Sequence, residues 1–385
     1  MKFLHLGDLH LGKSLLDYDL IEDQRYILNQ IIDVAVEREV DAVLIAGDIY
    51  DKSIPPEAAV NLLDDFINRL VDNKLKVFII SGNHDSDVRL NFGSAMFEDK
   101  GVYIASKYNG TLKKHVLKGD EGNVNIYCMP FVKASTVRHF YPDEVIENYE
   151  DAVRVIIKNS DVNSNEINIL LAHQFVCGKS EDIIFAGSEG MGTINVGLVE
   201  QIGYDCFDDF NYVALGHIHS TQKVGRDEVR YSGSPLKYSL SEANHDKYVP
   251  FVNIDAVGKV AIENILLSPL RNLRHIKGKL SVLLDKKNIT DEDDYIYATL
   301  TDEEPVGDAC AIFRQFYPNT VRVDYDNAHS REMANVDFSD ITRDKSFDEL
   351  IGEFYSKMYG CDISSEEMKV MHEVAGEAGV IIEAD

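Results

Sequence analysis

Short apolar runs alternate with longer amphipathic ones through the first eighty residues. Residues 3–6 are apolar apart from His5, and residues 22–38 then place Ile27, Leu28, Ile31, Val34 and Ala35 on one helical face. Residues 42–46 form a second apolar run. Pro55-Pro56-Glu57 opens a second helical stretch with Val60, Leu63, Ile67, Leu70 and Val71 in step, and residues 77–80 follow as a third run. Strand, helix, strand, helix, strand in this order predicts a sheet covered by helices. The strands are continuous rather than alternating, so both of their faces are expected to be buried.

Further β-type runs occupy residues 125–128, 167–171, 212–215 and 248–252, and the last of these have no long helix between them. The expected fold class is therefore α/β, a two-sheet sandwich flanked by helices rather than a simple doubly wound sheet. After Pro269 a smaller α/β unit is expected, with a strand at 295–300, a helix at 305–316 and a strand at 320–325. The tail carries Phe347, Leu350, Ile351, Phe354, Tyr355 and Met358 at helical spacing. Ser364-x-x-Glu367 reads as a capping box opening one more helix, with Met368 and Met371 inside. The expected division is 1–270, 271–335 and 336–385.

Composition changes this picture in two places. The 385 residues include 38 basic and 66 acidic side chains, a formal net charge of −28, which at first argues against a polyanionic ligand. The imbalance is uneven, however. Residues 271–287 hold six bases against one acid, while residues 337–385 hold 13 acids against four bases. The five cysteines include no C-x-x-C pair, and the first residues lack the pattern of a signal peptide. No run approaches the ~18 apolar residues of a membrane span. A cytoplasmic protein without a membrane partner is expected.

Five of the apolar runs end in metal-ligating residue types. They lead into Gly7-Asp8-Leu9-His10, Gly47-Asp48-Ile49-Tyr50-Asp51, Gly82-Asn83-His84-Asp85, Ala172-His173 and Gly216-His217-Ile218-His219. Ligands of open α/β sheets bind beyond the carboxyl ends of strands. Small residues before each cluster let the backbone approach an ion closely. The resulting donor set is Asp8, His10, Asp48, Asn83, His173, His217 and His219. It is too large for one ion and suits two, placed to clamp the attacking and leaving oxygens of a phosphoryl displacement. Four imidazoles disfavour Mg²⁺ and Ca²⁺ and leave Mn²⁺, Fe²⁺ or Zn²⁺. His5 sits inside a strand and is expected to be packed in the core.

The order Asp-x-His, Gly-Asp-x-x-Asp, Gly-Asn-His-Asp, His, Gly-His-x-His resembles that of the calcineurin-type metallophosphoesterases. Further runs, Tyr231-Ser232-Gly233-Ser234-Pro235-Leu236-Lys237-Tyr238 and Arg271-Asn272-Leu273-Arg274-His275-Ile276, are similar to those of the SbcD-type nucleases, subunits of bacterial double-strand-break repair complexes. The resemblance implies one ion on Asp8, His10 and His219, a second on Asn83, His173 and His217, and Asp48 bridging them. It implies two divalent ions, most often Mn²⁺. His84 would act on the transition state or leaving oxygen without ligating, and Asp85 would orient its ring. Asp51 is expected behind the ligands or in the turn.

The same resemblance implies a nuclease acting 3′-to-5′ on duplex ends and endonucleolytically on single strands, in DNA repair and recombination. It also implies a DNA-binding cap at 271–335, an SbcC-type ATPase partner docked by the C-terminal tail, and a homodimer formed through residues near 57–73 and 88–100. Lys13, Lys52, Arg89 and the basic run after Pro269 are candidate phosphate contacts. The alternatives are another metallophosphoesterase, such as a phosphoprotein phosphatase or cyclic-nucleotide phosphodiesterase, and a catalytically silent scaffold. The tail's own bland reading is packing within its domain.

Overall fold

The structure is a computed structural model that describes residues 1–119, 122–178, 183–185, 201–304, 306–327, 346–359 and 362–377. In chain order the main elements begin with β1 (Lys2–Leu6), α1 (Ile21–Glu37), β2 (Ala42–Ala46), α2 (Glu57–Asp72), β3 (Lys76–Ile80) and β4 (Val102–Ala105). Next come β5 (Lys113–Gly119), β6 (Gly122–Met129), α3 (Ala134–Phe140), α4 (Tyr149–Lys158), β7 (Ile167–His173) and β8 (Tyr212–Gly216). Then follow β9 (Gln222–Val224), β10 (Arg226–Tyr231), β11 (Lys247–Ile254) and β12 (Val260–Leu267).

These strands form two six-stranded sheets, ordered β12-β11-β1-β2-β3-β4 and β9-β10-β8-β7-β6-β5. Strands β1 to β4 are mutually parallel, as are β6, β7, β8 and β10, while β11, β12, β5 and β9 are antiparallel additions at the edges. The fold is the expected α/β two-sheet sandwich. Alternate residues of each sheet meet in the layer between them, including Phe3, Leu44, Phe78, Ile126, Ile169, Tyr212 and Val252. The other face of the second sheet buries Tyr127, Leu170 and Val213 with Val153 and Ile156 of α4. Both faces are thus covered, which is why the strands read as continuous apolar runs. His5 is fully buried in this packing, its Nδ1 2.9 Å from the Tyr212 hydroxyl, and burial pushes its ring down to about 3.

The remaining elements are β13 (Leu273–Gly278), β14 (Tyr295–Leu300), α5 (Ala309–Arg314), β15 (Thr320–Tyr325), α6 (Phe347–Tyr359) and α7 (Ser365–Glu377). β13, β14 and β15 make a three-stranded sheet in that order. The chain divides into two compact units, Met1–His275 with Glu292–Tyr297, and Ile276–Asp291 with Ala298–Asp385. Strands β14 and β15 match their expected limits, but the helix expected at 305–316 shrinks to α5. Asp308 takes a left-handed φ of 45° and accepts a hydrogen bond from the Ala311 amide, so the helix starts there. Pro305, Cys361, the expected boundary at 335/336 and the side chain of Met358 lie outside the description.

The capping box is formed: the Ser364 amide donates to Glu367 at 2.9 Å and the Glu367 amide to Ser364 Oγ at 3.2 Å. α6 and α7 pack on each other through Phe347 and His372, while Phe354, Val370 and Val374 stay exposed. Cys128, Cys177, Cys206 and Cys310 are free thiols. No described helix is long and apolar enough to cross a membrane.

Candidate metal centre

Strands β1, β2, β3, β7 and β8 bring their carboxyl ends together, and the last residue of β7, His173, and the loops after the other four carry all seven predicted ligands. The first two loops are zipped by backbone bonds, Asp8 N to Gly47 O at 3.1 Å and His10 N to Asp48 O at 3.0 Å. Close approach explains two of the glycines. A Cβ on Gly82 would meet the Asp48 carboxylate at 2.1 Å, and one on Gly216 the Ala46 carbonyl at 1.9 Å. Asp8, His10, Asp48 and His217 take positive φ values of 52°, 42°, 49° and 105°. Such geometry costs on the order of 1–3 kcal/mol per residue and collects at functional sites.

Asp48 lies at the middle of the cluster. Its Oδ2 is 3.4 Å from His173 Nε2 and 3.7 Å from His10 Nε2, and its Oδ1 accepts the His84 amide at 2.9 Å. On one side, His10 Nε2 stands 3.0 Å from His219 Nε2, and Asp8, His10 and His219 offer ligand atoms within 4.8 Å of one another. On the other side, Asn83 Oδ1 lies 3.1 Å from both His173 Nε2 and His217 Nδ1. The Asp8 carboxylate accepts the His217 amide at 2.9 Å, which ties the two sides together. His173 Nδ1 donates to the Ala46 carbonyl at 2.8 Å, so its Nε2 is the atom turned toward Asp48 and Asn83.

The electrostatics follow from burial and from the carboxylates. Burial lowers His10 to about 4 and His217 to about 3, and holds His219 well below the ordinary histidine value. These rings are neutral, the form that ligates a metal. Burial also acts against the charge on His173, but the Asp48 carboxylate beside it wins and raises that ring to about 9. Burial likewise opposes the charge of Asp48, yet His173, His10 and His84 hold its carboxyl well below the usual range.

The donor set fits two divalent cations. Lone pairs of imidazole nitrogen, amide oxygen and carboxylate converge on one space, buried at Asp8, His10, Asp48, His173 and His219 and open to solvent at Asn83, and they call for a positive centre between them.

Asp85 departs from the expected arrangement. His84 Nδ1 donates to the Asp51 carbonyl at 2.9 Å, its ring lying edge-on to His10 with centroids 4.9 Å apart. The Asp85 carboxylate does not orient that ring. It accepts the backbone amides of Gly82 (2.8 Å), Tyr50 (3.0 Å) and Ile49 (3.1 Å), and so ties the second motif loop to the third. Burial and the nearby Asp48 push its carboxyl up to about 6. A carboxylate flanked by three amide donors is better satisfied by them than by a ring one residue away. The Asp51 side chain accepts Lys13 Nζ at 2.7 Å and stands 3.7 Å from His10 Nδ1, on the far side of that ring from Asp48.

Some of the bases expected at phosphates are engaged within the protein. Arg271 pairs with buried Asp23 at 2.6 Å, Arg274 with Asp294 at 2.7 Å and Lys277 with Asp326 at 2.5 Å. Lys52, Arg89, Lys279, Lys286 and Lys287 have exposed side chains.

Two residues at the site escaped the sequence reading. Gln24 of α1 donates to the His10 carbonyl at 2.8 Å and accepts the Gly12 amide at 2.9 Å. Tyr238 donates its hydroxyl to the Leu9 carbonyl at 2.5 Å and lies edge-on to both His10 and His219. A glutamine beside the apolar stripe of α1 was the available signal for the first.

Residues 1–221, more than half of the chain, match the calcineurin-like phosphoesterase family, and the chain belongs to that family. Residues 269–359 match the SbcD-type C-terminal domain, also described as the type 5 capsule protein repressor C-terminal domain. The two matches together mark the chain as SbcD-like. Among solved structures it is similar to TT1561 of Thermus thermophilus, at 13% identity and a TM-score of 0.38 over 68% of this chain and 98% of that one. It is also similar to a dimetal phosphatase from Danio rerio, at 12% identity and a TM-score of 0.37 over 70% and 99%.

Proposed function

We propose that the chain is a metal-dependent DNA nuclease subunit, acting 3′-to-5′ on duplex ends and endonucleolytically on single strands, in repair with an SbcC-type ATPase. The observation that carries this reading is the presence, in one chain, of a calcineurin-like phosphoesterase domain with a seven-residue donor set and an SbcD-type C-terminal domain. Asp8, His10 and His219 would hold one ion, Asn83, His173 and His217 the other, and Asp48 both. Manganese suits their mixture of nitrogen and oxygen donors. When bound, two such ions stabilise the attacking and leaving oxygens of an in-line phosphoryl displacement.

The chain's own residues prepare that site. The Ala46 carbonyl fixes the tautomer of His173. Asp85 holds the loop that carries Asn83 and His84. The Asp51 carbonyl accepts the hydrogen bond of His84 Nδ1–H, so Nε2 is the atom presented to a leaving oxygen.

Residues 271–335 serve as a DNA-contacting cap, and residues 336–385 dock the ATPase. Val88, Phe92 and Met96, 77–85% exposed, would contribute to the face of a homodimer. Phe92→Glu with Met96→Glu should shift the sedimentation of the chain to that of a monomer, and an unchanged profile would remove the homodimer from the reading.

The direct test compares hydrolysis of single-stranded DNA and of a phosphopeptide by chelated protein given back Mn²⁺ or Mg²⁺. DNA cleavage restored best by Mn²⁺ is expected. Dephosphorylation without DNA cleavage would point to a phosphatase, and neither reaction to a silent scaffold.

A further inference from the structure

Behind His219 lies an ion pair whose charges are withdrawn from water. The side chain of Glu242 is 0% exposed and that of Lys247 6%. Burying two charges is costly, and their mutual attraction often does little more than offset it, so such a pair is weak evidence of a stabilising role. What distinguishes this one is where its remaining hydrogen bonds go. Lys247 Nζ donates to the His219 carbonyl at 3.0 Å and to Ser234 Oγ at 2.8 Å, besides Glu242. Glu242 Oε1 accepts the Tyr238 amide at 3.2 Å. The Ser234 amide also donates to the His219 carbonyl, at 3.1 Å.

Tyr238, anchored by Glu242, lies edge-on to His10 and His219 with ring centroids 5.7 and 6.2 Å away. Gln24 closes the circuit, its Nε2 3.3 Å from the Tyr238 hydroxyl and 2.8 Å from the His10 carbonyl. All these bonds end on the Asp8–His10–His219 side of the centre. None of them reaches Asn83, His173 or His217.

We propose that Glu242 and Lys247 are positioning residues for one of the two ions, fixing the His219 backbone and the Tyr238 ring so that the His10 and His219 imidazoles face a single point. The inference rests on the two-ion reading of the centre. Groups behind metal ligands commonly set affinity by about 10–100-fold. Here the effect is expected on one side, where the described bonds end.

The test uses the full chain and Mn²⁺ as the probe. The double variant Lys247→Met, Glu242→Leu removes both charges and leaves neither unpaired. Its metal-free form is expected to melt close to wild type, since apolar replacement of a buried pair is often neutral or stabilising. Calorimetry should then find one Mn²⁺ bound as in wild type and the other weakened about 10–100-fold. Ser234→Ala, which buries no charge and keeps the fold if the double variant does not, should weaken the same single ion by a smaller factor. Retention of both ions at wild-type affinity by these variants would overturn the inference while leaving the two-ion reading intact. A wild-type chain that binds one ion or none would overturn both.

Discussion

His84 is the residue whose chemistry is most separable from its surroundings. One ring nitrogen is committed to the Asp51 carbonyl, and although His84 stands with His10 and Asp51 among groups that could hold a metal ion, the proposed reading gives it a role beside the ions rather than on them. His84→Ala should therefore keep its metal content and lose about 10²–10⁴-fold in kcat, the usual contribution of a general acid or base. Loss of metal in that variant would make His84 a ligand. His173 gives a second prediction. Its metal-free ring stays protonated up to about pH 9, because the Asp48 carboxylate outweighs burial. An ion bound through Nε2 must displace that proton, so below about pH 9 affinity falls as pH falls. Calorimetry at pH 7 in buffers of different ionisation heat should show release of about one proton. Zero release would contradict the assignment of Nε2. The convergence of these seven side chains was legible because metal-binding residue types each follow an apolar run. Gln24, Tyr238, Glu242 and Lys247 were not. Their partners are largely backbone groups, which leave no residue-type signal, and Tyr238 lies 229 residues from the carbonyl it holds.

Elements were legible where packing is two-sided. The continuous runs that became β1, β2, β3, β7 and β8 could hardly be anything but buried strands. The edge strand β5, Lys113–Gly119, was missed because lysines take three of its seven positions and none of its residues is fully buried. The structure divides the run after Pro269. Counting charges made it a phosphate-binding stripe, yet three of its six bases are spent on Asp23, Asp294 and Asp326. Arg271 is structural by this geometry: it caps a carboxylate only 1% exposed, which the Tyr295 hydroxyl also reaches at 3.0 Å. Arg271→Ala should cost on the order of 3 kcal/mol in denaturant unfolding, because Asp23 is left with its charge buried. Lys286→Ala with Lys287→Ala should change stability by less than about 0.5 kcal/mol. That pair should instead lower the salt dependence of DNA binding by about one unit of slope per lost contact. Equal effects of the two sets on either measurement would contradict this division.

At the scale of the molecule, a net charge of −28 says little about the substrate. Two of the acids, Asp8 and Asp48, sit in the proposed donor set, where bound cations would offset them. Residues 337–385 contribute a net −9. The isolated chain should grip DNA weakly, leaving much of the electrostatic attraction to a partner. Deleting residues 345–385 should preserve hydrolysis of single-stranded DNA and abolish binding to an SbcC-type ATPase. Unfolding of the truncated chain would instead make α6 and α7 part of their own unit's core.

The central claim is a two-ion centre organised around one shared carboxylate, and metal counting tests it most directly. Purified wild-type chain, stripped and reloaded with Mn²⁺, should hold two ions per chain, and Asp48→Ala, folded by circular dichroism, should hold none. An Asp48→Ala chain that still bound one ion at wild-type affinity would contradict the bridge, and a wild-type chain that bound only one would contradict the centre itself.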